Sequence, residues 1–172
     1  MVKNGYRFAD AGALLLAACV LLAACVLLAS CATTKPPPPL VAHAHIVVGA
    51  DVNPDSSGRP SPVVVRLYQL RADGEFAAAD FFPLYDKEKE TLAQSLISRQ
   101  EYVLSPGESR DLDLPVDAQT RFLGVLAAFR DIRTAHWRAL SHAPEKKLID
   151  LLRKGGVTIS IGKDSVTLAV KD

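Results

Sequence analysis

The feature that most constrains this chain is an apolar segment, residues 11–30, that ends directly at Cys31. Lys3 and Arg7 precede the segment, and the two residues before the cysteine are small. A cationic start, an apolar run and small residues at its end are typical of a secretory signal. The sequence therefore predicts an exported protein whose folded part lies after this segment.

Residues 28–31 read Leu-Ala-Ser-Cys and resemble a bacterial lipobox. In a lipobox the thiol takes a diacylglycerol, and the peptide is cut just before the cysteine. Cys31 is therefore the predicted lipid attachment site, and three acyl chains anchor stably at ~0.8 kcal/mol per buried CH₂. Alanine rather than aspartate follows the cysteine, which by analogy with enterobacterial lipoproteins predicts export to the outer membrane.

Two other cysteines, Cys19 and Cys25, end similar local patterns. Cleavage before either one would leave an apolar mature N-terminus, whereas cleavage before Cys31 leaves a polar one, so Cys31 is favoured and Cys25 comes second. An uncleaved transmembrane helix is a further alternative, because residues 11–30 reach the roughly 20 needed to span a bilayer. That alternative leaves the small residues before Cys31 unexplained.

No cysteine lies after position 31. The folded domain must therefore stand without disulfides, even in an oxidising compartment, and its stability must come from a buried core. The remaining length suits one domain, and four consecutive prolines before residue 40 favour a semi-rigid spacer. The predicted organisation is a signal peptide (1–30), a lipidated proline-rich linker (31–39) and a β-sandwich domain (40–172).

The charge pattern and motifs exclude several function classes. Removing the first 30 residues takes two of the 20 basic residues and one of the 19 acidic ones, which leaves a formally neutral protein. Without a basic stripe or aromatic platform, nucleic acid is not an expected partner. The sequence has no Gly-rich phosphate loop, zinc spacing or nucleophile elbow. We therefore predict no enzymatic activity, no cofactor and no metal.

Residues 40–50 alternate strictly between the two faces of a predicted strand. Small and branched apolar residues occupy one face, and His43 and His45 share the other. Two such histidines could hold a metal, but no Asp, Glu or Cys lies nearby in sequence to complete a site. We interpret them as solvent-facing side chains.

Short apolar segments recur along the rest of the chain at intervals that suit a sandwich. Residues 71–80 are expected to be irregular, and residues 85–96 to form one short amphipathic helix across a sheet edge. A helical turn is possible at 147–152. About eight strands make the predicted fold all-β, a β-sandwich with a short helical insertion. The further predicted strands are 63–70, 98–104, 109–114, 121–130, 135–140, 157–161 and 166–171.

The connection over residues 51–62 consists of turn formers and prolines, with little to bury. It is long for a link between strands, and long loops on a rigid scaffold are often functional. Its only apolar side chain apart from the prolines is Val52, and it has no aromatic residue. This composition favours a polar protein contact over a stacked sugar, with a plain surface turn as the alternative.

Several stretches of the chain together resemble the TssJ-type (VasD- or SciN-like) outer-membrane lipoproteins of the bacterial type VI secretion system. They follow the lipobox in the order expected for that family and span nearly all of the mature domain. The stretches are 60–70, 79–85, 104–110, 122–125, 129–132 and 137–138.

The resemblance implies a transthyretin-like β-sandwich with added helical elements and no enzymatic activity. It implies that the protein anchors the membrane complex in the outer membrane by binding the periplasmic C-terminal region of the inner-membrane protein TssM, in a complex that also contains a TssL-type protein. The alternative is a periplasmic lipoprotein that binds a small ligand or carbohydrate through its sandwich loops.

In the family, the loop between the first two strands contributes to the contact with TssM. That loop corresponds here to residues 51–62. The partner-binding residues implied by this correspondence are Asp51, Val52, Asn53, Pro54, Asp55, Ser56, Ser57, Gly58, Arg59 and Pro60.

Overall fold

The computed structural model of the protein describes residues 40–144 and 156–170. Within these residues the chain forms eight strands, which confirms the predicted all-β sandwich. The signal, Cys31, the linker and the predicted turn at 147–152 lie outside the described residues. The strands are β1 (Leu40–Val48), β2 (Val63–Leu70), β3 (Leu96–Leu104), β4 (Ser109–Val116), β5 (Phe122–Ala128), β6 (Arg138–His142), β7 (Gly156–Ile161) and β8 (Val166–Val170).

The strands form two four-stranded sheets with the orders β4-β1-β7-β8 and β3-β2-β5-β6. Every strand pair is antiparallel except β1 with β7, which is parallel. A bridge between His136 and Ser165 joins the β6 side of one sheet to the β8 side of the other. The sequence of β5 is apolar on both faces, which is typical of a central strand, and β5 lies between β2 and β6.

The main core fills the space between the two sheets. In β1 the buried positions alternate strictly with exposed ones, as the period of two in the sequence predicted. The inward residues of β1 and β7, from one sheet, pack against those of β2 and β5, from the other. Valine and leucine dominate the cluster. The buried residues of β1 are Ala42, Ala44, Ile46 and Val48.

Three short helices cover the outer face of the β3-β2-β5-β6 sheet. They are α1 (Gly74–Ala78), α2 (Phe81–Asp86) and α3 (Glu88–Leu92), followed by a 3₁₀ turn at Ala93–Ser95. Each helix buries one large apolar residue in a second cluster with outward-facing residues of β2 and β5. The buried helical residues are Phe76, Leu84 and Leu92.

The predictions of an irregular segment over 71–80 and of a single helix at a sheet edge were therefore wrong. Three short helices follow one another, and each contributes one buried residue. These residues, Phe76, Leu84 and Leu92, are spaced eight residues apart. The outer face of this sheet carries Tyr68 and Leu126, both fully buried. An apolar sheet face of this kind must be covered, so the helices lie across the face and not along the edge. None of the described helices is long and apolar enough to cross a membrane.

An ion-pair network fastens the helices to the sheet. Arg66 donates to Glu101 on β3 (2.7 Å) and to the carbonyl of Tyr85 on α2 (2.6 Å), and its guanidinium lies 4.0 Å from the Tyr85 ring centroid. Arg99 pairs with Glu88 of α3 at 2.9 Å. Hydrogen bonds to charged groups are stronger than neutral ones. The network therefore fixes α2 and α3 relative to β2 and β3.

Acid is expected to destabilise the domain, and Glu101 is expected to contribute. The hydrogen bond from Arg66 lowers the pKa of Glu101 in the folded state. A carboxyl with a lowered folded pKa stabilises the protein above its unfolded pKa, and that stabilisation is lost as the pH falls through the folded value. We expect the urea concentration at the unfolding midpoint to decrease once the pH is below about 4.3, the ordinary glutamate pKa.

The test is a series of urea unfolding curves between pH 7 and pH 3. Glu101→Gln should flatten the acid limb of the curve of stability against pH, whereas Glu90→Gln, an exposed carboxyl on α3, should leave it unchanged. An acid limb identical in wild type and Glu101→Gln would contradict the assignment.

Candidate functional site

Four strand connections meet at one end of the sandwich, called here the loop end. They are residues 49–62, 105–108, 129–137 and 162–165. Backbone hydrogen bonds join them: Gly49 N–H donates to Ile161 (2.7 Å), Gly107 N–H to Gly49 (3.2 Å) and Asn53 N–H to Lys163 (2.9 Å). Leu40, the first residue of β1, lies at the opposite end of the sandwich.

The loop over residues 51–62 is anchored from inside. Val52 is fully buried in the main core, and its carbonyl accepts a hydrogen bond from the Ser61 N–H at 3.1 Å. Asn53 and Ser61 are also buried. The expectation that this loop has little to bury was wrong, because Val52, Asn53 and Ser61 are buried and hold the loop in place. The many turn-forming residues around them gave no sign of this burial.

The side chain of Asn53 clamps the base of the loop. Its Nδ2 donates to the Pro62 carbonyl (2.7 Å), and its Oδ1 accepts from the Arg130 N–H (2.8 Å). Its φ of 49° lies in the left-handed region, which asparagine tolerates better than most residues. One amide therefore joins both ends of the loop to the β5–β6 connection.

The outer part of the loop is a tight turn ordered by Asp55. Its carboxylate accepts hydrogen bonds from the Ser57 N–H (2.8 Å), the Arg59 N–H (3.0 Å) and the Arg59 Nε (2.9 Å). The backbone bond from Arg59 is the main cause that lowers the pKa of Asp55. Gly58 supplies a φ of 78°, which glycine adopts without strain. A turn held in this way is ordered before any partner binds.

The structure divides the ten predicted site residues into three groups. Val52 and Asn53 are buried and support the loop from within. Pro54 and Asp55 are half-buried. The residues that a partner can reach fully are Asp51, Ser56, Ser57, Gly58, Arg59 and Pro60.

A cleft of about 570 Å³ lies beside the loop. Its other walls come from the β5–β6 connection, with Arg130 and Asp131, and from the β7–β8 turn, with Lys163 and Asp164. With Asp55 from the loop itself, two cations and three anions give this surface a mixed charge, which suits polar recognition. Within residues 40–144 and 156–170, no three His, Cys, Asp or Glu side chains are grouped to hold a metal ion.

The sequence interpretation missed these cleft residues, although a signal for them existed. Strands that follow one another in opposite directions place every second connection at the same end. The connections after β1, β3, β5 and β7 therefore had to meet. Asp131 and Asp164 are charged residues in two of these connections, and the strand order alone could have placed them beside the 51–62 loop.

The described residues thus form an eight-stranded sandwich with a helical cover and an ordered loop end. The chain belongs to the family of type VI secretion lipoproteins that includes VasD, EvfM and TssJ, whose model matches residues 41–171. This confirms the resemblance carried by the sequence motifs. The family is one of structural lipoproteins and is not known for an enzymatic activity.

Solved structures of the same system share the fold. The crystal structure of the lipoprotein TssJ1 from Pseudomonas aeruginosa matches with 32% identity and a TM-score of 0.70, over 78% of this chain and 98% of that one. Lip from Serratia marcescens, a membrane-bound component of the system, matches with 25% identity and a TM-score of 0.64, over 74% and 96%. The TssJ1 match shows that the sandwich is formed by a chain with little beyond this domain. No curated protein sequence matches the chain.

Two further matches come from other structures of the type VI secretion system. A chain of a structure described as a type VI membrane complex matches with 30% identity and a TM-score of 0.65, over 77% of this chain and 99% of that one. A chain of the structure described as the TssM C-terminal domain (869-1107) from EAEC matches with 29% identity and a TM-score of 0.61, over 74% and 99%. Together with the family, these matches assign the protein to the type VI secretion membrane complex.

Proposed function

We propose that the protein anchors the type VI secretion membrane complex in the outer membrane. Cys31 carries the lipid, and the loop end of the sandwich binds the periplasmic C-terminal region of a TssM-type inner-membrane protein, in a complex that also contains a TssL-type protein. In this proposal residues 1–30 are the signal peptide, 31–39 the linker and 40–172 the domain that binds the partner.

The observation that carries this proposal is the placement of the two ends of β1. The chain enters the sandwich at Leu40 and reaches the loop end after Val48, nine residues later. At about 3.3 Å per residue, this strand spans about 30 Å. Leu40 and the 51–62 loop therefore lie at opposite ends of the sandwich. A protein that joins an anchor to a distant partner needs this arrangement.

The type of partner is supported by the assemblies in which similar chains occur. The chain matched in the TssM structure is almost fully covered by 74% of this protein, so it is shorter than this protein. The structure that contains this chain is described as the TssM C-terminal domain (869-1107) from EAEC. This supports a TssM-type partner for the present domain.

The partner-binding site is tested by co-purifying residues 40–172 with the periplasmic part of the TssM-type protein. Deleting residues 56–58 shortens the exposed turn but keeps the anchors Val52 and Asn53, and we expect it to abolish co-purification. Arg121→Ala, an exposed change at the opposite end, is the matched control. Retained binding by the shortened loop would contradict the proposed site.

Lipid attachment gives a separate prediction. Cys31→Ser should abolish incorporation of a labelled fatty acid into the full chain and move the protein from the membrane to the soluble fraction. Cys25→Ser is the control and should remain labelled. Labelling that persists in Cys31→Ser would instead place the lipid on Cys25 or Cys19.

A further inference from the structure

The outer face of the β4-β1-β7-β8 sheet carries a paired set of histidines and carboxylates. His43 and His45 project from β1 on the same exposed side, two residues apart. In the register of β1 with β4, His43 lies opposite Asp113 and His45 lies opposite Asp111. The neighbouring sequence lacks such carboxylates, and β4 supplies them. Asp113 lies 70 residues after His43 in the sequence, and Asp111 lies 66 residues after His45.

Each histidine is hydrogen bonded through the same ring nitrogen. Nδ1 of His43 lies 2.7 Å from Oδ1 of Asp113, and Nδ1 of His45 lies 2.6 Å from Oδ1 of Asp111. An ionised carboxylate can only accept, so Nδ1 carries a proton, and in the neutral imidazole Nε2 then keeps its lone pair. This carboxylate–histidine arrangement is the one that orients metal-binding imidazoles in proteins and raises their basicity.

The surroundings leave both imidazoles accessible. On the β7 side, His43 faces Gly156 and His45 faces Thr158. Because Gly156 has no side chain, β7 places none beside His43 on the flank away from Asp113. The four paired residues and these two neighbours line a cleft of about 520 Å³. The one further contact of an Nε2 atom among the described residues is Ser109 Oγ, 3.5 Å from His45, which is too long to compete strongly.

We propose that His43 and His45 form a two-histidine site for a divalent transition metal of the zinc or copper class. Their Nε2 atoms are the ligands, Asp113 and Asp111 orient them, and water fills the remaining coordination positions. Imidazole nitrogen suits zinc and copper better than calcium or magnesium, which prefer oxygen. The proposal is independent of the proposed anchoring function, because the site lies on a sheet face and not at the loop end.

Zinc binding to the tag-free domain tests the site. Titration calorimetry of residues 40–172 with ZnCl₂ should show one Zn²⁺ per chain. His43→Ala and His45→Ala should each weaken binding by about 10-fold or more, and Asp113→Asn by about 10-fold, as expected when an orienting carboxylate is lost. His136→Ala, which removes an exposed histidine elsewhere, should bind as wild type.

Electron paramagnetic resonance of the Cu²⁺-loaded domain identifies the ligands. Wild type should show two equatorial nitrogens, and the double variant His43→Ala/His45→Ala should lose this signal. Circular dichroism checks that every variant is folded, which we expect because the changed side chains are exposed. Absence of saturable Zn²⁺ binding to wild type, or unchanged binding and spectra in the folded double variant, would overturn the proposal.

Discussion

Phe76→Ala is expected to lower the free energy of unfolding by about 3–5 kcal/mol, as is usual when a buried aromatic side chain is removed. Phe76 is fully buried and is the only large residue that α1 contributes to the cluster beneath the helices. Its ring packs against Tyr68, with centroids 5.4 Å apart. The change leaves a cavity and releases α1 from the sheet. Urea unfolding at pH 7 measures the loss.

The matched control is Phe82→Ala, because Phe82 is 64% exposed on the neighbouring helix. Its cost should stay below about 1 kcal/mol, as for most surface changes. Equal costs for the two variants would show that the helices do not form a core with the sheet.

Gly124 of β5 packs against the Phe76 ring, and a Cβ atom at position 124 would lie 2.9 Å from that ring. Gly124→Ala should therefore destabilise by about 1–3 kcal/mol through overpacking. In the Phe76→Ala background the cost of Gly124→Ala should shrink, because the cavity accepts the added methyl group. Additive costs would contradict this contact.

Asn53→Ala is expected to have the second large effect, at the base of the partner-binding loop. Alanine at a positive φ costs about 1–2 kcal/mol, and the loss of the amide leaves the Arg130 N–H and the Pro62 carbonyl without their partner, at about 1–3 kcal/mol. We expect a total loss of roughly 2–5 kcal/mol in urea unfolding. Affinity for the TssM-type partner should fall as well, because the loop loses its fixed geometry.

Two substitutions at the same position separate these causes. Asn53→Gly relieves the backbone cost but keeps the hydrogen bonds broken, so it should be less destabilising than Asn53→Ala by about 1 kcal/mol. Asn53→Asp retains an acceptor for the Arg130 N–H but loses the donor to Pro62. If alanine and glycine proved equally stable, the left-handed conformation would not contribute to the cost.

Much of the sandwich could be predicted because apolar and polar residues alternate with a period of two along a strand that has one buried face. The alternation of β1 fixed which of its residues are buried, and the two apolar faces of β5 identified it as central. The helical cover was harder to predict, because α1, α2 and α3 have only five or six residues each. Helices this short have no periodic pattern to detect, and packing on the sheet determines them.

The candidate site was predictable only in part. The composition of residues 51–62 identified a long, polar loop, and the family resemblance gave it a role. The clamp by Asn53 depends on Arg130, which is 77 residues away in sequence. The pairing of His43 with Asp113 depends in the same way on the register between β1 and β4. Contacts of this range follow from sheet topology, which local patterns do not contain.

The loop end is the proposed partner-binding site, and calorimetry of one loop variant and one control variant tests this proposal. The periplasmic C-terminal region of the TssM-type protein is titrated into wild-type residues 40–172, the 56–58 deletion and Arg121→Ala. We expect saturable binding by wild type and Arg121→Ala, and no detectable binding by the deletion while it remains folded. Equal affinity of all three proteins would contradict the loop-end site, and no binding by folded wild type would contradict the partner itself.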